Sequence, residues 1–181
     1  MERIFLIGYM GTGKTTVGRE LAETLGLDFI DLDHYIQGRY QKTVGQLFEE
    51  VGEAGFREIE QRVLKEVGEI EDVVISAGGG TPCFYDNMEY MNETGRTVYL
   101  KASPEALARR LNACKEKRPL IKDKDEEELY LFVKDSLTKR ESYYLKAHLS
   151  FDTEELMDKD EVHKFVNKLI DILKTHEISR K

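Results

Sequence analysis

IFLIGYMGTGKTTVG, residues 4–18, opens with four apolar side chains and then turns abruptly to glycine. Within it Gly8, Gly13, Lys14 and Thr15 satisfy the spacing G-x-x-x-x-G-K-[ST], after a run that reads as a strand and before a helical stripe of Val17, Leu21 and Leu25 that Gly26 stops. Glycines let such a loop turn back so that successive N–H groups face phosphate oxygens, and the helix N-terminus adds partial positive charge. Lys14 is then predicted to bridge the β- and γ-phosphates of a nucleotide and the Thr15 hydroxyl to ligate Mg²⁺, with Gly11, Thr12, Gly13 and Thr16 completing the cradle. The bland alternative is a glycine-rich turn with a chance lysine.

Working outward, further short apolar runs at 29–32, 73–75, 98–100 and 149–151 alternate with longer helical stretches. That alternation predicts βαβ units and a parallel sheet buried on both faces, an α/β layer between helices. Thr43 followed by Gln46 is a capping-box pattern opening a helix through Phe48. Another helix is expected from about 53 to 67 with Phe56, Ile59, Val63 and Val67 inward, and Pro104 after Ser103 opens a further one. The last helix carries Val162, Phe165, Val166, Leu169 and Leu173 on one face, which reads as core packing. No internal repeat is visible.

Composition bounds the function. The 27 basic and 35 acidic residues give a net charge of −8 on 181 residues, with 40% hydrophobic content, which excludes a disordered chain and disfavours nucleic acid as a bulk partner. The length suits one domain burying roughly 70% of its unfolded surface. Cys83 and Cys114 lack metal-ligand spacing and read as reduced thiols of a cytoplasmic protein, and the apolar run at 4–7 is too short for a signal segment or a membrane span.

The loop alone leaves two classes open, a switch GTPase or a kinase acting on a small molecule. The D-x-x-G and N-K-x-D signatures of switch GTPases are missing, since Asn167-Lys168-Leu169-Ile170 fails at its last position. Asp31 and Asp33 sit at the carboxyl end of the second expected strand, where ligands bind in such sheets. As alternate strand residues they are predicted to point to opposite sides, Asp31 toward the Mg²⁺ and Asp33 toward an acceptor hydroxyl; the competing reading makes Asp33 a helix cap. Gly78, Gly79 and Gly80 after the third strand suit an acceptor held through backbone N–H groups, although a plain turn is possible. Arg57 and Arg140, taken singly, read as surface helix residues. Residues 112–128 hold eleven charges in seventeen positions, a solvated loop or a mobile lid.

Taken together, the GYMGTGKTT loop, Asp31-Leu32-Asp33, Phe56-Arg57 with Glu60, the Gly78–Gly80 triplet, Arg118-Pro119-Leu120, and Arg140 with Tyr144 closely resemble the shikimate kinase family over nearly the whole chain. The resemblance implies a P-loop domain of the nucleoside-monophosphate-kinase type spanning 1–181, with a five-stranded parallel sheet ordered 2-3-1-4-5, a substrate-binding helical region at about 33–62 and a lid at about 112–128. It implies transfer of the γ-phosphoryl of MgATP to the 3-hydroxyl of shikimate, in aromatic amino-acid synthesis through chorismate. On that pattern Arg57 and Arg140 hold the shikimate carboxylate, while Asp33 and the backbone of Gly79 bind ring hydroxyls. Glu60 holds Arg57, and Phe48 and Phe56 wall the ring. Guanidinium forks suit a carboxylate, which makes the allocation physically sensible. The lid arginine falls on Arg118 and the adenine-stacking arginine on Arg110. Asp33 is either a general base or an orienting group. The family pattern also implies a monomer, while the acidic charge and the short apolar run leave neither nucleic acid nor membrane as an expected partner. A gluconate kinase, whose acceptor also carries a carboxylate, and a non-catalytic nucleotide-binding module are the alternatives.

Overall fold

In the computed structural model, which describes residues 2–114, 121–156 and 158–178, five strands form one parallel sheet in the order β2-β3-β1-β4-β5. The strands are β1 (Arg3–Ile7), β2 (Asp28–Asp31), β3 (Val73–Ser76), β4 (Arg96–Lys101) and β5 (Leu149–Asp152). The helices are α1 (Lys14–Leu25), α2 (Leu32–Tyr40), α3 (Val44–Val67), α4 (Asn87–Thr94), α5 (Pro104–Asn112), α6 (Glu126–Tyr144) and α7 (Lys159–Ile178).

The central strand shows why its run is uniformly apolar. Successive strand side chains face opposite sides, so Phe5 and Ile7 enter a core built with α2 to α6, while Ile4 and Leu6 enter a second core closed by α1 and α7. All four are fully buried. Phe5 lies opposite Ile75 of β3 and Thr97 of β4, so the middle of the sheet is covered on both faces.

Helix starts follow their local chemistry. Thr43 accepts from the Gln46 N–H while Gln46 accepts from the Thr43 N–H, the reciprocal pair expected of a capping box. The two helices expected around 43–48 and 53–67 join into α3 with a break at Gly52, whose φ of 70° and ψ of 179° are not helical. Ser103 caps α5 through the Ala106 N–H.

The second strand lies one residue earlier than expected, at 28–31 rather than 29–32. It ends at Asp31, and Leu32 is already the first residue of α2, because the Asp31 side chain accepts from the His34 N–H and turns the chain into a helix at once. This corrects the Asp31/Asp33 geometry: Asp33 is not an alternate strand residue but lies in the first turn of α2. The capping role falls to Asp31.

The candidate active site at the carboxyl edge of the sheet

The carboxyl ends of β1, β2 and β3 deliver Gly8, Asp31 and the 77–80 segment to one edge. The loop after β1 runs through positive φ at Gly8 (140°), Gly11 (87°) and Gly13 (92°), conformations that L side chains rarely adopt. At Gly8 a Cβ would also lie 2.5 Å from the Leu100 carbonyl oxygen. Lys14 opens α1 and folds back over this loop, its Nζ donating to the carbonyls of Gly8 (2.8 Å) and Tyr9 (2.9 Å). The Thr15 hydroxyl donates to Asp31 Oδ2 at 2.8 Å, so the two residues expected to hold a divalent cation are already neighbours across α1 and β2.

Asp33 faces the same space from α2. Enclosure in the cleft, then the Glu60 and Asp31 carboxylates, push its carboxyl up to about 6, against the pull of Lys14 and Arg57. The side chain still meets the water of the open cleft, and that screening moderates the effect without reversing its direction. A cavity of about 310 Å³ joins both sets of groups: Lys14, Thr15, Asp31, Asp33, Gly79 and Arg110 are among its walls.

Next to it lies a buried charged network. Arg57, 8% exposed, donates from Nη1 to Glu60 Oε2 at 2.9 Å, and Glu60 is 1% exposed. The other Glu60 oxygen accepts from the Thr81 hydroxyl at 2.6 Å, and Asn87 Nδ2 donates to the Thr81 carbonyl at 2.9 Å. Gly80 is required against this pair, since a Cβ there would sit 2.8 Å from Arg57 Nη1. Phe48 and Phe56 stack at 4.4 Å beside the guanidinium. Arg57 is therefore not the surface helix residue that it reads as when taken alone. Arg140, half-buried on α6, lies over the Tyr9 ring at 5.5 Å. One turn later Tyr144 donates its hydroxyl to the Gly79 carbonyl, and burial pushes that hydroxyl's pKa well above its ordinary value.

On the far side of the loop a second cavity of about 340 Å³ lies between Gly13, Val17, Arg110, Leu156, Lys159 and Val162. Arg110 is anchored there, donating to the carbonyls of Gly11 (3.3 Å), Thr153 and Glu154 (3.0 Å). Arg118 lies outside the described residues.

The structure thus brings together Gly11, Thr12, Gly13, Lys14, Thr15, Thr16, Asp31, Asp33, Arg57, Gly79, Arg110 and Arg140 around one sheet edge. Sequence reasoning missed Thr81, Phe84, Asn87 and the wall of Leu156, Asp158, Lys159 and Val162. None of these carries a local pattern; only the spacing of Tyr144 from Arg140, four residues on one helix, was available as a signal.

A family model described as shikimate kinase matches residues 10–173. The shikimate kinase of Parabacteroides distasonis is 57% identical over 173 residues, covering 96% of this chain and 100% of that one. That of Bacteroides thetaiotaomicron is 52% identical over 173 residues, with 96% and 99% covered. Among solved structures, the crystal structure of shikimate kinase from B. thetaiotaomicron superposes with a TM-score of 0.93 at 51% identity, covering 96% of this chain and 98% of that one. A shikimate kinase from Acinetobacter baumannii in complex with shikimate gives a TM-score of 0.84 at 33% identity, with 97% and 94% covered.

Proposed function

Since the chain belongs to the shikimate kinase family, we propose that its own residues divide the family's reaction between a backbone-built phosphate cradle and a side-chain-built acceptor pocket. The reaction is transfer of the γ-phosphoryl of MgATP to the 3-hydroxyl of shikimate, giving shikimate 3-phosphate and ADP on the route to chorismate and the aromatic amino acids. The single observation that carries the division is the shared cavity, in which Lys14 and Thr15 of the loop face Asp33 and Gly79 of the acceptor side.

Lys14 exchanges its two loop carbonyls for the β- and γ-phosphates, an exchange of neutral acceptors for charged ones that favours the nucleotide. The backbone N–H groups of residues 11–16 hold the phosphates at the head of α1. The base occupies the second cavity, against Arg110 and the start of α7.

The donor set fits Mg²⁺. Thr15 and Asp31 offer a hydroxyl and a carboxylate side by side, and among the described residues no cluster of three or more His, Cys, Asp or Glu side chains forms a closed cage. One or two protein oxygens with phosphate and water is the way this ion is usually held. Bound there with ATP, it neutralises phosphate charge.

The shikimate carboxylate pairs with Arg57 and Arg140, and Asp33 accepts the hydrogen bond of the reacting hydroxyl. With a carboxyl pushed to about 6, Asp33 is ionised at neutral pH yet close enough to neutrality to take a proton late in transfer. A loose transition state asks little of a base, so orientation is the larger part of its role. Arg118, assigned by the family pattern, closes over the phosphates from a lid at 112–128, and the substrate-binding region is 33–62. One chain supplies both halves as a single kinase domain, so a monomer suffices. Among the described residues no helix is long and apolar enough to cross a membrane, and we place the enzyme in the cytoplasm, where ATP is available.

The test is a coupled ADP-release assay with MgATP and shikimate, gluconate or no acceptor. Release only with shikimate is expected. Equal release without acceptor, or release with gluconate instead, would overturn the acceptor half.

A further inference from the structure

The guanidinium of Arg57 is held more elaborately than one ion pair requires. Its Nη1 donates to Glu60 and its Nη2 reaches Glu53 at 3.4 Å, while its Nε is buried without a hydrogen-bond partner among the described residues. Three aromatic rings surround its Cζ, and they are not equivalent. Phe48 and Phe56 of α3 lie 5.6 and 5.5 Å away, whereas the ring of Phe84, just after the single 3₁₀ turn Thr81–Cys83, lies at 4.2 Å. A cation that close to a phenyl face interacts with the ring quadrupole, and does so more strongly where water is excluded, as it is around a residue 8% exposed.

From this geometry we infer that Phe84 is a positioning residue for acceptor binding: its ring is the platform that fixes the Arg57 guanidinium in the orientation that pairs with the acceptor carboxylate. The inference rests on the reading of Arg57 as the carboxylate partner. Three restraints then act on three parts of one group. Glu60 fixes Nη1, the backbone of Gly80 permits close approach where a Cβ would be 2.8 Å away, and Phe84 supplies the flat face. Glu60 is itself tied to the Thr81 hydroxyl, so the short segment 80–84 sets both the ion-pair partner and the stacking partner of Arg57. Such a device spares the bound acceptor the cost of ordering a long side chain. It also predicts an effect confined to the carboxylate, because the contact of the Phe84 ring is with the guanidinium that pairs with it.

The test compares KM for shikimate, KM for its uncharged methyl ester and KM for ATP in wild type, Phe84→Leu, Phe84→Tyr and Arg57→Lys. Leucine keeps an apolar filler but removes the π face; tyrosine keeps the face. Phe84→Leu is expected to raise KM for shikimate by about three- to ten-fold, leave the ester and ATP within about two-fold, and lose little kcat, while Phe84→Tyr restores the wild-type value. An unchanged shikimate KM in Phe84→Leu, or a rise shared equally by shikimate, ester and ATP, would overturn the inference. The Arg57→Lys arm separates the two readings. If its acid-to-ester ratio matches wild type, the carboxylate reading of Arg57 fails and this inference with it; if that ratio collapses while the ratio in Phe84→Leu stays at the wild-type value, only the inference about Phe84 fails.

Discussion

The proposed phosphate cradle is one contiguous stretch, residues 8–16, whereas the proposed acceptor pocket gathers Asp33 from α2, Arg57 and Glu60 from α3, the 78–84 segment after β3, and Arg140 from α6. The first is made of backbone N–H groups and positive-φ glycines, so its chemistry depends on conformation. The second is made of charged side chains whose burial must be compensated one by one, as Glu60 is by Arg57 and Thr81. The two halves therefore fail differently when altered, and mutations test the contrast.

The largest effect is expected at the junction of the two halves. Asp33→Asn should lower kcat by about 10²-fold or more, within the range of a positioned acid or base, with KM for ATP little changed. Steady-state kinetics at saturating MgATP checks this; near-normal turnover would remove Asp33 from catalysis.

Arg57→Ala and Arg140→Ala separate pairing from burial. Both should raise KM for shikimate by roughly ten-fold or more, the cost of a charge-assisted contact. Arg57→Ala should also destabilise the fold by about 3–5 kcal/mol, because Glu60, 1% exposed, would be left buried beside Thr81 without its cation. Half-buried Arg140 leaves no such orphan. Denaturant melts of the pair, alongside the kinetics, would show equal stability losses if this account were wrong.

Two glycine substitutions carry the contrast into the backbone. Gly8→Ala places a Cβ 2.5 Å from the Leu100 carbonyl at a φ of 140°, so it should cost about 1–3 kcal/mol and lower Tm by roughly 2–10 °C. Gly80→Ala, at an ordinary φ of −88°, displaces the Arg57 guanidinium rather than backbone, so it should cost less Tm than Gly8→Ala while weakening shikimate binding by about ten-fold. Thermal melts and shikimate KM on both variants test the crossing.

The smallest effect is in pH dependence. With its carboxyl raised from 3.8 to about 6, Asp33 in the folded state holds a proton that the unfolded chain has released. Its contribution to stability is full below about pH 4 and declines as pH rises toward 6. Activity runs the other way, since the ionised carboxylate accepts the hydroxyl: kcat/KM should climb through an acid limb near pH 6, and Asp33→Asn should lose that limb. A limb unchanged in the variant would assign the titration elsewhere.

Much of this protein is written locally. The parallel sheet follows from short apolar runs alternating with helical stripes, as Phe5 and Ile7 feeding one core and Ile4 and Leu6 the other make plain. The nucleotide loop follows from its spacing because every group it uses is a neighbour in the chain. Cap chemistry at Thr43 and Ser103 was equally legible, for the same reason. Asp31 was legible as a carboxylate at the carboxyl edge of the sheet, but not that it would cap α2 and carry Asp33 into a helix, since strand ends and helix starts compete within one or two residues there.

Which charges are buried together is settled by packing between distant parts of the chain. Arg57 and Arg140 look alike in sequence, two arginines on amphipathic helices, and a lone arginine is by default solvated. One ends up under Phe84 and locked to Glu60, the other over Tyr9. That difference arises from residues 21 to 131 positions apart along the chain, Thr81 from Glu60 and Arg140 from Tyr9, brought together by the packing of α3, α6 and the turn after β3. Local sequence determines backbone conformation because steric and capping forces act over a few residues; the dielectric environment of a charge depends on everything folded around it.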